Sequence, residues 1–443
     1  MLSRRRRESN SDKRLCRPLR KPFRHVAEQS QCDHAPLNVP LGCLNPKRIE
    51  WMLGSVSRSA HARCQRMQMR TRLIFVSLIA IVAVGCSSSD SSTSIETTAP
   101  IENQAEAYFE RGPSPVGVTT LTLARGPKVE VWYPAVEGTA GSDTYDVRDY
   151  TPDAIKKILT GDAPATFTID AGRDAAVAGG KHPVVLFSHG YSGIRVQSSF
   201  ITSHLASWGM VVISPDHWSR DLNHVFGNNP VGDRESAVTD LFDSLDLVAA
   251  DARFADAMDI DRLIAVGHSA GGGTVARAAR DERIDGFVSM ASGLLDSNDS
   301  ATSDVVPQKP SFYIAGRADQ VTPVETVTRP AFNAAVSPSL LWVMDKVGHN
   351  GFDDFCTFGN GKGIIGVAEA SGLGAILSAQ PQFKSLGEDG CVGDVAPSTV
   401  AFPIIRHAIT AWSRHTLGLD DTSIDLSDAV ATKYALPIEI VSK

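Results

Sequence analysis

The sequence of 443 residues lacks several features that would each define a class of protein. Its hydrophobic stretch Leu73–Gly85 has 13 residues, whereas a helix needs about 20 apolar residues to cross a bilayer. No cluster of cysteine and histidine has the spacing of a metal site, so we expect neither a metal nor another cofactor. There is no internal repeat. The hydrophobic share of 42% indicates a large core and excludes a mainly disordered, collagen-like or coiled-coil chain.

Basic charge is scarce outside the first 72 residues. That segment has 17 Lys and Arg against 5 Asp and Glu, whereas the remainder has 26 basic and 45 acidic residues. An acidic surface repels phosphate backbones, so we expect no nucleic-acid partner.

The amino-terminal region predicts an export signal. Leu73–Gly85 follows Arg70 and Arg72 and precedes Cys86, and basic, apolar and then small residues before a cleavage point are typical of a secretory signal. A short buried helix is the alternative. The arrangement resembles a bacterial lipoprotein signal, although Ala83 stands where that family favours leucine. The resemblance implies lipid on Cys86 and anchorage at a membrane of the cell envelope.

Another 66 residues precede Met67, the methionine next to this signal. They are rich in arginine and have no apolar periodicity, so we interpret them as a mis-assigned extension, with translation starting at Met67 or Met69. A disordered basic tail is the alternative. The predicted division of the chain is an extension (1–66), a signal peptide (67–85), a lipidated tether (86–110) and one large domain (111–443).

Two cysteines, Cys356 and Cys391, remain once the extension and Cys86 are set aside. An oxidising compartment favours a disulfide between them, and two buried free thiols are the alternative. Closing this loop would stabilise the fold by roughly 3–4 kcal/mol.

Short β-branched runs alternate with helical patterns along the large domain. Val118–Leu123 and Val129–Tyr133 predict an antiparallel pair, and Val184–Ser188 predicts a strand buried on both faces. The alternation predicts an α/β fold with a mostly parallel central sheet flanked by helices. The other predicted strands are Met210–Ser214, Leu263–Val266, Gly286–Met290, Ser311–Ala315 and Leu340–Met344, and the predicted helices are Gln197–Trp208, Asp233–Ala250, Gly271–Ala279 and Val400–Leu417.

The sequence GHSAG, residues 267–271, lies between a predicted strand and a helix of small residues. A tight strand-to-helix turn of this kind holds a serine at the carboxyl edge of a sheet in a strained conformation. The flanking glycines avoid a clash with the neighbouring strand and helix, and the helix N-terminus favours developing negative charge. We therefore predict that Ser269 is a nucleophile; a structural glycine-rich turn is the alternative.

A serine nucleophile needs a base that an acid orients. Asp319 and His349 each come directly after a predicted strand, in the order that this class of sheet uses, so we predict them as acid and base. Asp296 is an alternative acid. His268 must point away from the serine on such a turn, and His407 is expected on the surface or in packing. Two further acidic residues, Asp353 and Asp354, are expected to cap or bridge a loop.

The tetrahedral intermediate needs two aligned N–H donors. We expect the N–H of Ala270, the residue after the nucleophile, and that of Tyr191 in the loop SHGYSG (188–193), where Gly190 lets the backbone turn inward. Plain packing is the alternative role for Tyr191.

These motifs resemble the α/β-hydrolase superfamily over about residues 115–417. Within it, the chain is similar to the group of platelet-activating-factor acetylhydrolases and dienelactone-hydrolase-like proteins, which includes bacterial polyester hydrolases. The motifs that carry the resemblance are VEVWYPA (129–135), SHGYSG, GHSAGGG, GRADQVTP, VGHNGFDDFC and DGC (389–391). The resemblance implies the triad Ser269, Asp319 and His349, the oxyanion donors Tyr191 and Ala270, and the paired cysteines.

The expected function is that of a serine esterase acting on a small-molecule or lipid ester, with short-acyl or lipid-like substrates. Dienelactone hydrolases use a cysteine nucleophile, so their substrate is not expected here. The alternatives are an amidase or peptidase, a polyester hydrolase with the same triad, and a non-catalytic binding lipoprotein. Substrate choice is expected to depend on a rim over the pocket, 351–398, and on the loop Asp216–Gly232 with Trp218 and Phe226.

Overall fold

The structure, a computed structural model, describes residues 108–293, 306–421, 426–434 and 436–443. The predicted extension and signal peptide, the lipidation site Cys86 and the alternative acid Asp296 lie outside these residues. Among the described helices, none combines the length and the apolar character that a bilayer span requires.

A mixed sheet of ten strands organises the described part of the chain. In chain order the strands are β1 (Val116–Thr122), β2 (Lys128–Pro134), β3 (Asp143–Asp146), β4 (Thr166–Ile169), β5 (Gly172–Arg173), β6 (His182–Ser188), β7 (Val211–Pro215), β8 (Met258–His268), β9 (Gly286–Met290), β10 (Ser311–Gly316), β11 (Ser339–Met344) and β12 (Ile438–Ser442). The sheet order is β12-β11-β10-β9-β8-β6-β7-β2-β1-β5, and β3 pairs with β4 in a separate antiparallel sheet of two strands. The six strands from β7 to β11 in this order are parallel, as the sequence predicted.

Both faces of the sheet are buried, which explains the continuous apolar runs of its central strands. Successive side chains of a strand point to opposite faces. Thus Val185 and Phe187 pack into the core on one face, while Val184 and Leu186 pack into the core on the other.

Helices cover the two faces. In chain order they are α1 (Asp153–Lys156), α2 (Ser199–Ser207), α3 (Leu222–Phe226), α4 (Arg234–Ala250), α5 (Ala270–Ala278), α6 (Arg329–Ala334), α7 (Gly363–Ala370), α8 (Gly374–Ser378), α9 (Pro381–Glu388), α10 (Ser398–Thr416) and α11 (Asp428–Tyr434). Residues of α2 and α10 belong to one core, and residues of α4, α5 and α6 to the other. Asp233 caps α4, as predicted: its carboxylate accepts the N–H of Ser236.

Regular secondary structure continues beyond the predicted last helix, which corresponds to α10. It continues through α11 into β12, which adds an antiparallel edge strand beside β11. The short segment IEIVS has only one buried position, so its pattern alone did not distinguish it from a tail.

The predicted rim, residues 351–398, is largely helical, and a disulfide joins two positions near its ends. Cys356 and Cys391 are bonded, which confirms the predicted pair. Between them lie α7, α8 and α9, which pack on one another.

Replacing both bonded cysteines, Cys356→Ser with Cys391→Ser, should lower the free energy of unfolding by about 3–4 kcal/mol, because the unfolded chain regains the freedom of a loop that spans 35 residues. Equilibrium urea denaturation measures this change. The wild type treated with a reductant should match the variant, and the variant should not respond to the reductant. An unchanged denaturation midpoint would contradict the prediction.

Candidate active site

Ser269 lies in a strained turn between β8 and α5. Its backbone has φ 55° and ψ −124°, a region that costs a residue with a side chain on the order of 1–3 kcal/mol. The turn is closely packed: a Cβ on Gly271 would lie 1.9 Å from the carbonyl oxygen of Ser188, and one on Gly267 would lie 2.3 Å from that of Gly271. Glycine is therefore required on both sides of Ser269 for steric reasons.

The structure brings Ser269, His349 and Asp319 together. They follow β8, β11 and β10, whose carboxyl ends share one edge of the parallel sheet. Ser269 Oγ is 2.9 Å from His349 Nε2, and His349 Nδ1 is 2.9 Å from Asp319 Oδ2. In the consistent assignment, the serine hydroxyl donates to Nε2 and the Nδ1–H donates to the carboxylate.

Asp319 is held as a charged, oriented carboxylate. Its Oδ1 accepts the N–H groups of Val321 and Thr322 at 2.8 and 2.7 Å, and its Oδ2 also accepts the Thr322 hydroxyl at 2.7 Å. Burial raises the pKa of Asp319, but the hydrogen bond and charge of His349 and the bonds from Thr322 outweigh it, so the pKa is lowered. The carboxylate therefore stays ionised at neutral pH.

His268 does not contact the serine hydroxyl but supports the loop of His349. Its Nε2–H donates to the carbonyl of His349 at 3.0 Å, and its Nδ1 accepts from the amide of Gln197 at 2.7 Å. Burial, with a contribution from the charge of His349, lowers the pKa of His268 to about 3. His268 is thus a neutral residue that hydrogen-bonds both Gln197 and the loop of His349.

The loop after β6 approaches Ser269 closely, as predicted. A Cβ on Gly190 would lie 3.2 Å from Cβ of Ser269, and the Gly190 N–H donates to the Gln197 side chain at 3.1 Å. The backbone hydrogen bonds of the described residues include none donated by the N–H of Tyr191 or of Ala270, the first residue of α5. Tyr191 is 50% exposed, so its role is not that of a core residue.

A second set of serine, histidine and aspartate side chains lies beneath this loop. Ser188 Oγ is 2.9 Å from His217 Nε2, and His217 Nδ1 is 2.9 Å from Asp240 Oδ2. All three residues are buried, and burial lowers the pKa of His217 well below its usual value. The sequence did not reveal this network, because Ser188, His217 and Asp240 are far apart in the chain and only Ser188 belongs to a motif, the SHGYSG loop.

Arg220 hydrogen-bonds both to Ser188 of this network and to the loop after β6. Its guanidinium donates to Ser188 Oγ at 2.8 Å, to the carbonyl of His189 at 2.8 Å and to the hydroxyl of Thr274 in α5 at 2.9 Å. These bonds join the loop that carries Tyr191 to the helix that carries Ala270. The network therefore positions the two predicted oxyanion donors relative to each other.

Asp389 hydrogen-bonds to the loop of Asp319 and to the loop of His349. The sequence patterns did not single it out. Its Oδ1 accepts the N–H of His349 at 2.8 Å, and its Oδ2 accepts that of Gln320, next to Asp319, at 2.9 Å. Its position two residues before the bonded Cys391 is the signal that could have identified it.

An apolar cavity of about 220 Å³ begins at Ser269 and His349. The segment 351–398 supplies much of its lining, as expected, and α1 contributes a further wall. Phe226 lines it as expected, whereas Trp218 lines a different cavity and lies against His224. The aliphatic and aromatic lining residues of the rim include Phe355, Ile364, Ile365, Leu373, Ile376, Leu377, Phe383 and Leu386.

The remaining predicted residues have structural contacts. His407 is fully buried and stacks on Phe109, so it packs in the core rather than on the surface. Asp353 caps a short helix by accepting the N–H of Phe355, and Asp354 bridges to Ser199. Both aspartates thus have the capping and bridging roles expected of them.

Comparisons with known proteins agree with this architecture. Residues 173–361 match the family described as PETase, PET hydrolase-like. Cutinase 2 of Thermobifida cellulosilytica is 28% identical over 153 residues, which are 34% of this chain and 53% of that protein. Cutinase cut1 of Thermobifida fusca is 28% identical over 34% of this chain and 43% of its own length. The chain thus spans about half the length of these curated relatives or less.

A solved ferulic acid esterase from Streptomyces cinnamoneus superposes with a TM-score of 0.52 at 17% identity, over 74% of this chain and 97% of that one. At this identity the likeness concerns the fold alone. With the sheet order and flanking helices described above, it shows an α/β-hydrolase fold, as the sequence predicted.

A fluorophosphonate probe should label Ser269 and leave Ser188 unmodified. Both hydroxyls contact a histidine that contacts an aspartate, but Ser188 is fully buried and accepts a bond from Arg220, whereas Ser269 borders two cavities. Mass spectrometry of the digested adduct identifies the labelled serine. Ser269→Ala should abolish labelling and Ser188→Ala should not; a label on Ser188 would contradict the prediction.

Proposed function

We propose that this protein is a serine hydrolase of carboxylic esters. The observation that carries the proposal is the continuous hydrogen-bonded line from Ser269 Oγ through His349 to Asp319, which opens on a cavity suited to an apolar part of a substrate. The similarity to cutinases and to the PET hydrolase-like family supports the same class of reaction.

In the proposed reaction, Ser269 Oγ attacks the ester carbonyl while His349 Nε2 takes its proton. His349 then gives that proton to the leaving alcohol, the bond from carbon to the alcohol oxygen breaks, and an acyl-enzyme remains. Water hydrolyses this ester by the same route and releases the carboxylic acid. Asp319 keeps the Nδ1 proton on His349 and stabilises the imidazolium that forms twice in each cycle.

We assign the N–H groups of Tyr191 and Ala270 to the oxyanion of the two tetrahedral intermediates. Donors that are fixed before the reaction lower the barrier, because they need no reorganisation when charge develops. The bonds of Arg220 and of Gln197 hold the loop of Tyr191 in place. The N-terminus of α5 adds a favourable dipole at Ala270.

We propose that the substrates are esters with a short apolar group. The apolar cavity of about 220 Å³ is smaller than the roughly 300–1,000 Å³ typical of pockets for drug-sized ligands. Activity of the platelet-activating-factor acetylhydrolase kind, on a short acyl group of a lipid-like ester, is compatible with this size. A panel of esters from acetate to palmitate, with a phospholipid and a polyester included, measures the preference.

A polyester hydrolase is the second candidate, because a match to the PET hydrolase-like family covers residues 173–361. The helices α7, α8 and α9 wall one side of the apolar cavity, which favours a soluble ester or a chain end over the middle of a polymer chain. An amidase or peptidase would use the same residues, and the panel extended by matched amides distinguishes it. A binding protein without catalysis would not react with the fluorophosphonate probe.

We infer that the protein is exported and anchored by lipid on Cys86. The disulfide between Cys356 and Cys391 supports export, since such bonds persist in oxidising compartments. The basic and apolar residues before Cys86 support a signal of the lipoprotein kind.

Two substitutions test the proposed reaction. Ser269→Ala should lower kcat on p-nitrophenyl butyrate by up to about 10⁶-fold, because the nucleophile is lost. Asp319→Asn should lower it by about 10⁴-fold, because an amide N–H beside His349 favours the tautomer that cannot accept the serine proton. Steady-state kinetics measure both.

The matched control for Asp319→Asn is Asp281→Asn. Asp281 is a carboxylate near the surface, and hydrogen bonds from Arg283 lower its pKa to about 2. It should leave kcat within twofold. Turnover by Ser269→Ala within tenfold of the wild type would refute the proposed reaction.

The proposed lipid attachment to Cys86 is tested separately. Expression of the full chain in a bacterium fed radiolabelled palmitate should yield a labelled protein in the membrane fraction, because lipidation of Cys86 adds acyl chains. Cys86→Ser should remove the label and release the protein. Ser94→Ala, in the same predicted tether, is the control and should change neither result; a label that survives Cys86→Ser would refute the assignment.

A further inference from the structure

Asp353 is the only acid among the described residues that line the apolar cavity. It follows the short segment of His349 in the chain and is 1% exposed. Burying a carboxyl group is costly unless its oxygens have partners. The proposed reaction gives Asp353 no role, so the partners of its two oxygens indicate what else it can bind.

One of these two oxygens has no hydrogen-bond partner among the described residues. Oδ1 accepts the N–H of Phe355 at 2.9 Å. Oδ2 lies 3.7 Å from His268 Nδ1, which is too far for a hydrogen bond, and that nitrogen already accepts from Gln197. The described polar atoms that are sealed in the protein without a partner do not include Oδ2. Oδ2 therefore faces the open space that Asp353 lines, which is the apolar cavity.

The polar side chains next to Asp353 in the cavity wall already have partners. Gln197 accepts the N–H of Gly190 and donates to His268, and His268 donates to the carbonyl of His349. Neither side chain therefore competes with Asp353 for a polar group of a ligand.

The surroundings of Asp353 favour a neutral polar ligand. Burial raises the pKa of Asp353 well above its usual value; the hydrogen bond from Phe355 opposes this rise, and the neighbouring Asp354 adds to it. An ammonium group would require the ionised carboxylate, which burial disfavours. A hydroxyl can accept the O–H of a neutral carboxyl and can also donate to its oxygen. A hydroxyl is therefore the complementary group in either state of Asp353.

On the basis of the proposed function, we propose that the substrate carries a hydroxyl group at the end of the short chain that enters the apolar cavity, and that Asp353 binds this hydroxyl. The methylene groups of the chain contact the aliphatic and aromatic lining. Asp353 takes no part in the proton transfers between Ser269, His349 and the leaving alcohol. A chain without the hydroxyl would leave the buried carboxyl unpaired, which is costly.

The position of Asp353 places this hydroxyl several bonds from the ester carbonyl. His268 lies between Asp353 and the reaction centre: its ring centroid is 4.9 Å from that of His349, and its Nδ1 is 3.7 Å from Asp353 Oδ2. Ser269 attacks the carbonyl on the other side of His349. A hydroxyl at the end of a chain can therefore reach Asp353, whereas one on the carbon next to the carbonyl cannot.

The test uses pairs of esters that differ by one hydroxyl. Ethyl 6-hydroxyhexanoate is compared with ethyl hexanoate, and 6-hydroxyhexyl acetate with hexyl acetate, because the hydroxyl is then on the acyl side or on the alcohol side. In at least one pair, the wild type should have a kcat/KM at least tenfold higher for the hydroxylated ester, since a site built to bind a hydroxyl discriminates against the analogue that lacks it.

Asp353→Leu should lower this preference at least tenfold, and Asp353→Asn, which retains a donor and an acceptor, should keep part of it. The preference is a ratio measured on one preparation, so a smaller folded fraction does not alter it. For ethyl 2-hydroxyhexanoate against ethyl hexanoate, Asp353→Leu should change the ratio less than twofold, because that hydroxyl does not reach Asp353.

Asp354→Asn is the matched control, since Asp354 is the neighbouring buried acid but bonds to Ser199 and lines a different cavity. It should change the preference less than twofold. Equal turnover of both members of each pair by the wild type, a preference that survives Asp353→Leu, or an equal loss in Asp354→Asn would overturn the inference. If the plain esters are turned over, the proposed function stands despite such a result. Absence of turnover on every ester would refute the proposed function as well.

Discussion

The close approach of β6, β8 and α5 around Ser269 is the constraint on which the site depends. The positive φ of Ser269 is unfavourable for a residue with a side chain, and the backbone around it is packed so closely that neither Gly267 nor Gly271 has room for a Cβ. The oxygen of Ser188 lies where a Cβ of Gly271 would be. The same approach holds Ser269 at the sheet edge, within 2.9 Å of His349. Geometry that is costly locally is thus maintained by packing.

The loops at this edge are bonded to one another rather than held separately. Gln197 and His268 connect the loop after β6 to the loop of His349, and Asp389 connects the latter to the loop of Asp319. The disulfide joins the segment of Asp389 back to Cys356. Each bond fixes a donor or acceptor that would otherwise require water, because buried polar groups without partners are costly.

The two sets of serine, histidine and aspartate show that residue types alone do not identify a candidate nucleophile. Ser188, His217 and Asp240 have the same contacts and similar distances as the set at Ser269. Their environment differs: Ser188 is buried in the core and accepts a hydrogen bond from Arg220, while Ser269 borders two cavities. Solvent access and the strained turn distinguish the set proposed to react from the one buried in the core.

Features that depend on neighbours in the chain were evident from the sequence alone. The strand and helix around GHSAG, the parallel sheet, the cap at Asp233 and the positions of Asp319 and His349 after strands all follow from short patterns, because local sterics and strand direction determine where such residues point. The tertiary structure alone decided what depends on contacts between distant segments. These are the edge strand β12, the network of Arg220 and His217, the bonds of Asp389, the burial of His407, and the lining of the apolar cavity. No local pattern encodes them, since each arises where side chains from several segments meet and exclude water.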